Sequence, residues 1–309
     1  MTLKQLEYFS AIAMYRSFTK ASEACFVTQP TITMQIQKLE DEIGVKLFDR
    51  NSKPLSITPA GEQILMRARE ILRDVDQLKA FVSEEKESLK GSFSLGVIPT
   101  IAPYLLPILL PRFVKKFPDT HLVVEELQTH QIIRRLKEGS LDIGLLSTPL
   151  EERQIREVAL YNEPFLLYRN PLTHPEWQNE VLTGDLDYSH LLLLHEGHCF
   201  RDQTLNICRQ AEDSSSLGFE YASGSIEGLK SLVRQGVGLT LVPEMAVNPA
   251  MDKEFTVPFA QPLPVREVGL AVHNSFTKEA LIEALRDEIQ EAIPKAFTRF
   301  SHFTRIKWR

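Results

Sequence analysis

Reactive side chains concentrate in one string, Gly197-His198-Cys199-Phe200-Arg201-Asp202-Gln203, with a second thiol at Cys208 nine residues after Cys199. A free thiol, with a pKa of about 8.5, is mostly protonated at neutral pH, and only the thiolate attacks an electrophilic oxygen. Redox chemistry at Cys199 therefore asks for a depressed pKa and an accessible sulfur. His198 and Arg201 flank that sulfur. A strand-like run over residues 191–194 precedes it and a predicted helix starts there, so unpaired N–H groups would favour the anion. Asp202 suits an orienting acceptor for Arg201 or a backbone N–H, and would raise the thiol pKa if it pointed at the sulfur. The competing reading is of two small buried cysteines, the ordinary fate of free Cys. Cys25, on the apolar face of a short helix, takes that second reading.

The chain that must position these groups has 309 residues, enough for two domains, with 43% hydrophobic and 25% charged residues, as in ordinary globular proteins. Its formal charge of -6 gives no bulk reason to expect nucleic acid, so any such site must be local. Residues 1–91 hold 13 basic and 13 acidic side chains, and the whole deficit lies beyond Gly91. Three scattered cysteines without a CxxC pattern propose neither a disulfide framework nor a metal site. The opening residues lack the pattern of a secretory signal. The longest apolar stretch, residues 101–110, falls short of the roughly 20 residues a bilayer needs. A cytoplasmic chain with reduced thiols and no membrane partner is the expectation.

Up to Lys90 the text is helical. Leu3, Leu6, Phe9, Ile12 and Ala13 fit one helix face, and Ala21, Ala24 and Cys25 a second, short helix. After the cap Thr28, residues Ile32, Ile36, Leu39 and Ile43 form a third, stopped by Gly44. Two helices joined by so few residues read as a helix-turn-helix. Gln29, Pro30, Thr31, Thr33, Gln35 and Lys38 are assigned to a groove-entering face, and residues 48–58 to a β-turn wing from which Arg50 and Lys53 reach an adjacent backbone or minor groove. The plain alternative is a solvated polar face. From Pro59 a long helix is expected, with Ile64, Ala68, Ile71, Val75, Leu78 and Val82 spaced as a two-stranded seam, hence a dimer; a helix lying on its own effector domain is the alternative. Strand-like and helical runs then alternate to about Ala292, an α/β layout.

The strings Leu6-Glu7-Tyr8-Phe9, Ser17-Phe18-Thr19-Lys20-Ala21-Ser22, Thr28-Gln29-Pro30-Thr31-Ile32-Thr33 and Gly44-Val45-Lys46-Leu47-Phe48-Asp49-Arg50 resemble the LysR-type transcriptional regulators. The resemblance implies a winged helix-turn-helix over residues 1–58, a linker dimerisation helix over 59–90, and a two-lobed α/β effector domain over 91–309. That domain would be similar to periplasmic solute-binding proteins, with an effector site between the lobes. Implied partners are double-stranded promoter DNA, a second copy in a dimer or dimer of dimers, and RNA polymerase.

Within that family the 197–203 string, Ile98-Pro99-Thr100, Gln128-Thr129-His130-Gln131 and residues 236–243 resemble the peroxide-sensing members. This closer resemblance implies hydrogen peroxide as effector, no cofactor, no metal, and a cellular dithiol as reductant. Peroxide reduction needs hydrogen-bond donors beside the thiolate for the departing oxygen. The resemblance places Thr100 and Thr129 there, each after a predicted strand, where helix capping is the alternative role; Arg266 would reinforce the positive field. Cys208 is then the resolving thiol. Nine helical residues separate Cα atoms by roughly 13 Å, whereas a disulfide tolerates about 4.4 to 6.8 Å, so bridging must remodel the segment. A regulator holding a small organic metabolite in the cleft is the alternative function. A peroxidase enzyme is disfavoured because the sequence has no thioredoxin-like motif. The basic, aromatic residues 295–309 are expected to be a solvated extension.

Overall fold

The computed structural model describes residues 1–50, 52, 55–82, 89–177, 179–184, 186, 190–208, 221, 223–298 and 302–308, the side chains of 77–82 excepted. The chain divides into two compact units, Met1–Lys86 and Glu87–Arg309.

The first unit contains α1 (Leu3–Tyr15), α2 (Phe18–Ala24), α3 (Gln29–Ile43), a short antiparallel pair β1 (Phe48–Asp49) and β2 (Ser56–Ile57), and α4 (Pro59–Val82). Local chemistry starts and stops its helices. Thr2 and Gln5 form a capping box on α1, and Ser17 caps α2 through Lys20 N. Gly44, at φ 76°, turns the chain out of α3. Thr28 stands at the N-cap of α3, but its hydroxyl pairs with Thr31 Oγ1 at 2.8 Å instead of capping a backbone N–H. Phe9, Ile12, Ile32, Ile36 and Phe48 form the core, and α4 closes it with the buried Ala68, backed by Ile64, Leu65 and Leu72. The first two residues of the expected dimer seam, Ile64 and Ala68, thus serve their own domain, whereas Ile71 is exposed. Leu78 and Val82 lie outside the described side chains.

The second unit alternates β3 (Gly91–Val97), α5 (Ala102–Lys116), β4 (Thr120–Glu126), α6 (Thr129–Lys137), β5 (Ile143–Thr148) and β6 (Ile155–Arg169). It continues through α7 (Cys199–Cys208), α8 (Ile226–Arg234), β7 (Leu239–Pro243), β8 (Thr256–Pro258), β9 (Leu263–His273), α9 (Glu279–Ala292) and β10 (Phe303–Arg305). The sheet runs β4-β3-β5-β9-β6-β7, with β8 on β6 and β10 on β9. Parallel pairing of β3 with β4 and β5 brings the C-terminal ends of these strands to one edge, where open α/β sheets gather ligand contacts. The long strands β6 and β9 pair antiparallel and run through both halves of the unit. One apolar core lies under β3, β5, α5, α6 and α9, and a second under β7, α7 and α8.

Two expectations change. The run before Cys199 is no strand: of it only Leu191 makes an isolated bridge, to Leu239. The C-terminal residues are not a solvated extension, because β10 adds to the sheet parallel to β9, with Phe303 opposite Leu263. Among the described residues no helix is long and apolar enough to cross a membrane.

Candidate redox site and nucleic-acid interface

Cys199 opens α7. Gly197, at φ 89°, lets the chain turn into that helix beside the N-terminus of α6, and a Cβ there would meet Gln128 Oε1 at 2.9 Å. The sulfur is buried, 3% exposed, and packs in the core of the β3–β5 half. Burial pushes its pKa up, against the downward pull of the Thr129 hydroxyl, the Arg266 guanidinium and the Ser147 hydroxyl. The accessible, depressed thiol expected from sequence is therefore not the resting state; its environment is buried but lined with donors. Among the described residues neither Thr129 Oγ1 nor Ser147 Oγ, both buried, has a hydrogen-bond partner. Buried hydroxyls without partners are costly. These two stand beside a sulfur that would accept from both once ionised, so their bonds close on the thiolate and not on the thiol.

Arg266, on β9, supplies the buried cation. Strand register places it opposite Glu163 of β6, and the guanidinium holds that carboxylate at 2.7 Å. Its Nη1 donates to Thr100 Oγ1 at 2.8 Å and its Nη2 to Thr100 O at 3.0 Å. Its charge also lies over the Phe200 ring, 5.4 Å from the centroid. Because Thr100 Oγ1 accepts from a cation, its own proton is free to point at a ligand. Glu163 in turn accepts from Met245 N at 2.9 Å, so a satisfied network fixes the guanidinium across both long strands.

The residues flanking Cys199 do other work than expected. Arg201 donates to Leu194 O at 3.2 Å, shaping the turn into α7, and the positive field at the sulfur comes from Arg266. Burial and then the neighbouring His195 push the pKa of His198 down, which favours a neutral imidazole. Burial raises the pKa of Asp202, and its charge opposes ionisation of Cys199. Cys208 stands at the far end of α7, about two and a half turns on, so it points to the opposite side of the helix. It packs in the other core, 1% exposed, with its pKa pushed up to about 12 by burial. The structure thus joins Cys199 with Thr129, and Arg266 with Thr100, and keeps Cys208 apart. Sequence reasoning missed Ser147 and Glu163.

On α3 the side chain most nearly opposite Ile32 and Ile36 is the exposed Met34, flanked by the exposed Pro30, Gln37 and Lys38, while Gln29 is exposed in the first turn. Thr31 and Thr33 sit half-buried at the margins. Gln35 departs from its expected place: rotated toward α1, its Oε1 accepts from Gln5 Nε2 at 3.2 Å. Gln29 Oε1 accepts from Thr19 Oγ1 at 3.3 Å, tying α2 to the start of α3. Glu40 is buried and accepts from Leu47 N, and it draws Arg50 to 3.5 Å while that guanidinium lies over Phe18. Arg50 is thereby anchored to its own domain. Lys53 lies outside the described residues.

Two family models match the chain: "Bacterial regulatory helix-turn-helix protein, lysR family" over residues 3–62 and "LysR substrate binding domain" over residues 86–294. The DNA-binding transcriptional dual regulator OxyR of Escherichia coli is 37% identical over 305 residues, covering 97% of this chain and 98% of that protein. A hydrogen peroxide-inducible genes activator of Haemophilus influenzae is 34% identical over 303 residues, covering 95% and 99%. Among solved structures, a full-length OxyR variant from Pseudomonas aeruginosa superposes with a TM-score of 0.83 at 32% identity, covering 94% of this chain and 95% of that one. An H2O2-bound OxyR mutant from Corynebacterium glutamicum gives 0.60 at 30% identity, covering 96% and 94%. With both models matched in order and OxyR-type similarity along nearly its whole length, the chain belongs to the LysR family of transcriptional regulators, among its OxyR-like members.

Proposed function

We propose that this chain is a hydrogen-peroxide-responsive, DNA-binding transcriptional regulator whose switch is a disulfide between Cys199 and Cys208. The observation that carries the reading is the pair of unpartnered hydroxyls, Thr129 and Ser147, beside a thiol at a helix N-terminus, with Arg266 and Thr100 adjoining. In the first step the Cys199 thiolate attacks one peroxide oxygen, the O–O bond breaks, and the second oxygen leaves as hydroxide, taking up a proton to become water. Thr100, polarised by Arg266, is the donor to the departing oxygen, and Thr129, whose proton is released from the sulfur as the thiolate gives up its charge, is the second. In the second step Cys208 sulfur displaces water from the sulfenic acid. Two thiols are oxidised and one peroxide becomes two waters, so each event consumes one oxidant and resetting requires a dithiol reductant. The helix-turn-helix domain attached to this chemistry favours a switch over an enzyme, and the two steps use no cofactor.

Residues 1–58 form the reading head in this account, a winged helix-turn-helix in which β1 and β2 are the wing. Gln29, Pro30, Thr31, Thr33 and Lys38 of α3 face the major groove. Residues 59–90 form the dimerising linker, for which the exposed Ile71 remains available. Residues 91–309 form the effector domain, related in layout to two-lobed periplasmic binding folds. Promoter DNA, a second copy of the chain and RNA polymerase are its partners. Footprinting on a peroxide-responsive promoter tests the assignment: protection by the reduced and oxidised protein should differ in extent, and identical footprints would reject it.

A further inference from the structure

We infer that the C-terminal strand is a latch on the redox helix, so that residues 303–308 set how fast the disulfide closes. The inference rests on the Cys199–Cys208 reading and adds a regulatory element to it. Three anchors hold this segment. Along β9 it is a strand: Ile306 N donates to Val265 O at 2.8 Å and Leu263 N to His302 O at 3.3 Å. On α7, Gln203 Nε2 donates to Ile306 O at 3.0 Å and Asn206 Nδ2 to Lys307 O at 2.8 Å; the two side chains are three residues apart and share a helix face. Beyond β5, Trp308 Nε1 donates to Pro149 O at 3.1 Å and Lys307 pairs with Glu151 at 2.7 Å. Ile306 packs against the core that contains Cys208 and lines, with Cys208, Asn206, Pro264 and Thr304, a cavity of about 490 Å³.

Gln203 and Asn206 both lie between the two thiols. As a helix, α7 keeps Cys199 and Cys208 on opposite sides, too far apart for a bond about 2 Å long between sulfurs. Closure must unwind the turns that carry these two side chains, which breaks their hydrogen bonds to the tail or drags the tail off β9. The latch therefore opposes the second step, in which Cys208 sulfur replaces the hydroxyl of the sulfenic acid and water leaves. It does not oppose the first, in which peroxide oxidises Cys199, because the donors at that sulfur, Thr129, Ser147 and Arg266, take part in none of the three anchors.

The test compares the intact chain, Trp308→Ala, and a chain ending at His302. Sulfenic acid is trapped with a dimedone probe and the disulfide is followed by non-reducing peptide mapping after a peroxide pulse. Sulfenic acid should form at the same rate in all three, while closure should accelerate by about fivefold for each latch hydrogen bond lost. In the intact chain the Ile306 amide should exchange slowly when reduced and at least about tenfold faster once oxidised. Equal closure rates, or an Ile306 amide equally protected in both states, would overturn the latch. A poorly folded truncation leaves the exchange measurement on the intact chain to decide. An intact chain that forms no 199–208 bridge rejects the switch itself, whereas a bridge closing at unchanged rates rejects only the latch.

Discussion

Ser147→Ala should slow the sensor while leaving the reduced fold as stable as before, or more so. The substitution removes one oxygen from the end of β5, and that oxygen is fully buried with no partner among the described residues. A hydrogen bond to a charged group contributes about 1.5–3 kcal/mol, so losing this donor raises the Cys199 pKa further above its ordinary value. Burial already holds that pKa above its ordinary value, so neutral pH lies on the rising limb where thiolate and rate increase together with pH. The variant moves the limb to higher pH, and peroxide oxidation at neutral pH falls about ten- to hundredfold. Stability moves the other way: a buried hydroxyl without a partner costs about 1–3 kcal/mol, and alanine relieves part of that. The assay is stopped-flow peroxide oxidation alongside the pH profile of iodoacetamide alkylation, with Cys25 and Cys208 replaced by serine, and urea denaturation of the reduced protein. A wild-type alkylation profile with a wild-type rate, or a loss of more than about 1 kcal/mol of stability, would refute the reasoning.

The reduced protein should weaken in alkali. Burial puts Cys208 near pKa 12, against about 9 for the free thiol, so its contribution is complete below pH 9 and is lost as pH rises toward 12. The loss reaches about 4 kcal/mol, and the pH slope of urea stability should flatten in Cys208→Ala. Glu163→Gln strands the buried Arg266 guanidinium and should cost about 3 kcal/mol in the same assay. Lys38→Ala should weaken DNA binding about equally across sequences and reduce the slope of log affinity against log salt by about 1, measured in titrations at several salt concentrations.

The parts of this structure legible in the sequence are those set by neighbouring residues. The helix-turn-helix follows from apolar spacing at Ile32, Ile36 and Leu39, the exit from α3 from Gly44, and the redox string from six adjacent side chains. Gln35 is polar and so reads as a groove residue, yet it sits only about 100° round the helix from Ile36 on the α1 side, where Gln5 takes it. Ser147 carries no local signal at all; parallel pairing of β5 with β3 brings it to the sulfur from 52 residues away in sequence. Glu163 and Arg266 meet only because β6 and β9 pair in one register, a contact spanning 103 residues. The tail reads as solvated because its partner strand, β9, lies some 40 positions upstream and its aromatic residues suit a loose end as well as a sheet edge. Burial of Cys199 is hidden for the same reason: the string around it is mostly polar, and the apolar residues that share its core, such as Leu145 and Val268, come from distant strands.

The most direct measurement is peptide mapping of the intact protein after a brief, stoichiometric pulse of peroxide, with free thiols blocked before digestion. The account predicts one new cross-linked peptide joining Cys199 to Cys208, with Cys25 still blocked as a free thiol. Cys199 recovered as a free thiol, or oxidised with Cys208 still free throughout the time course, would contradict it.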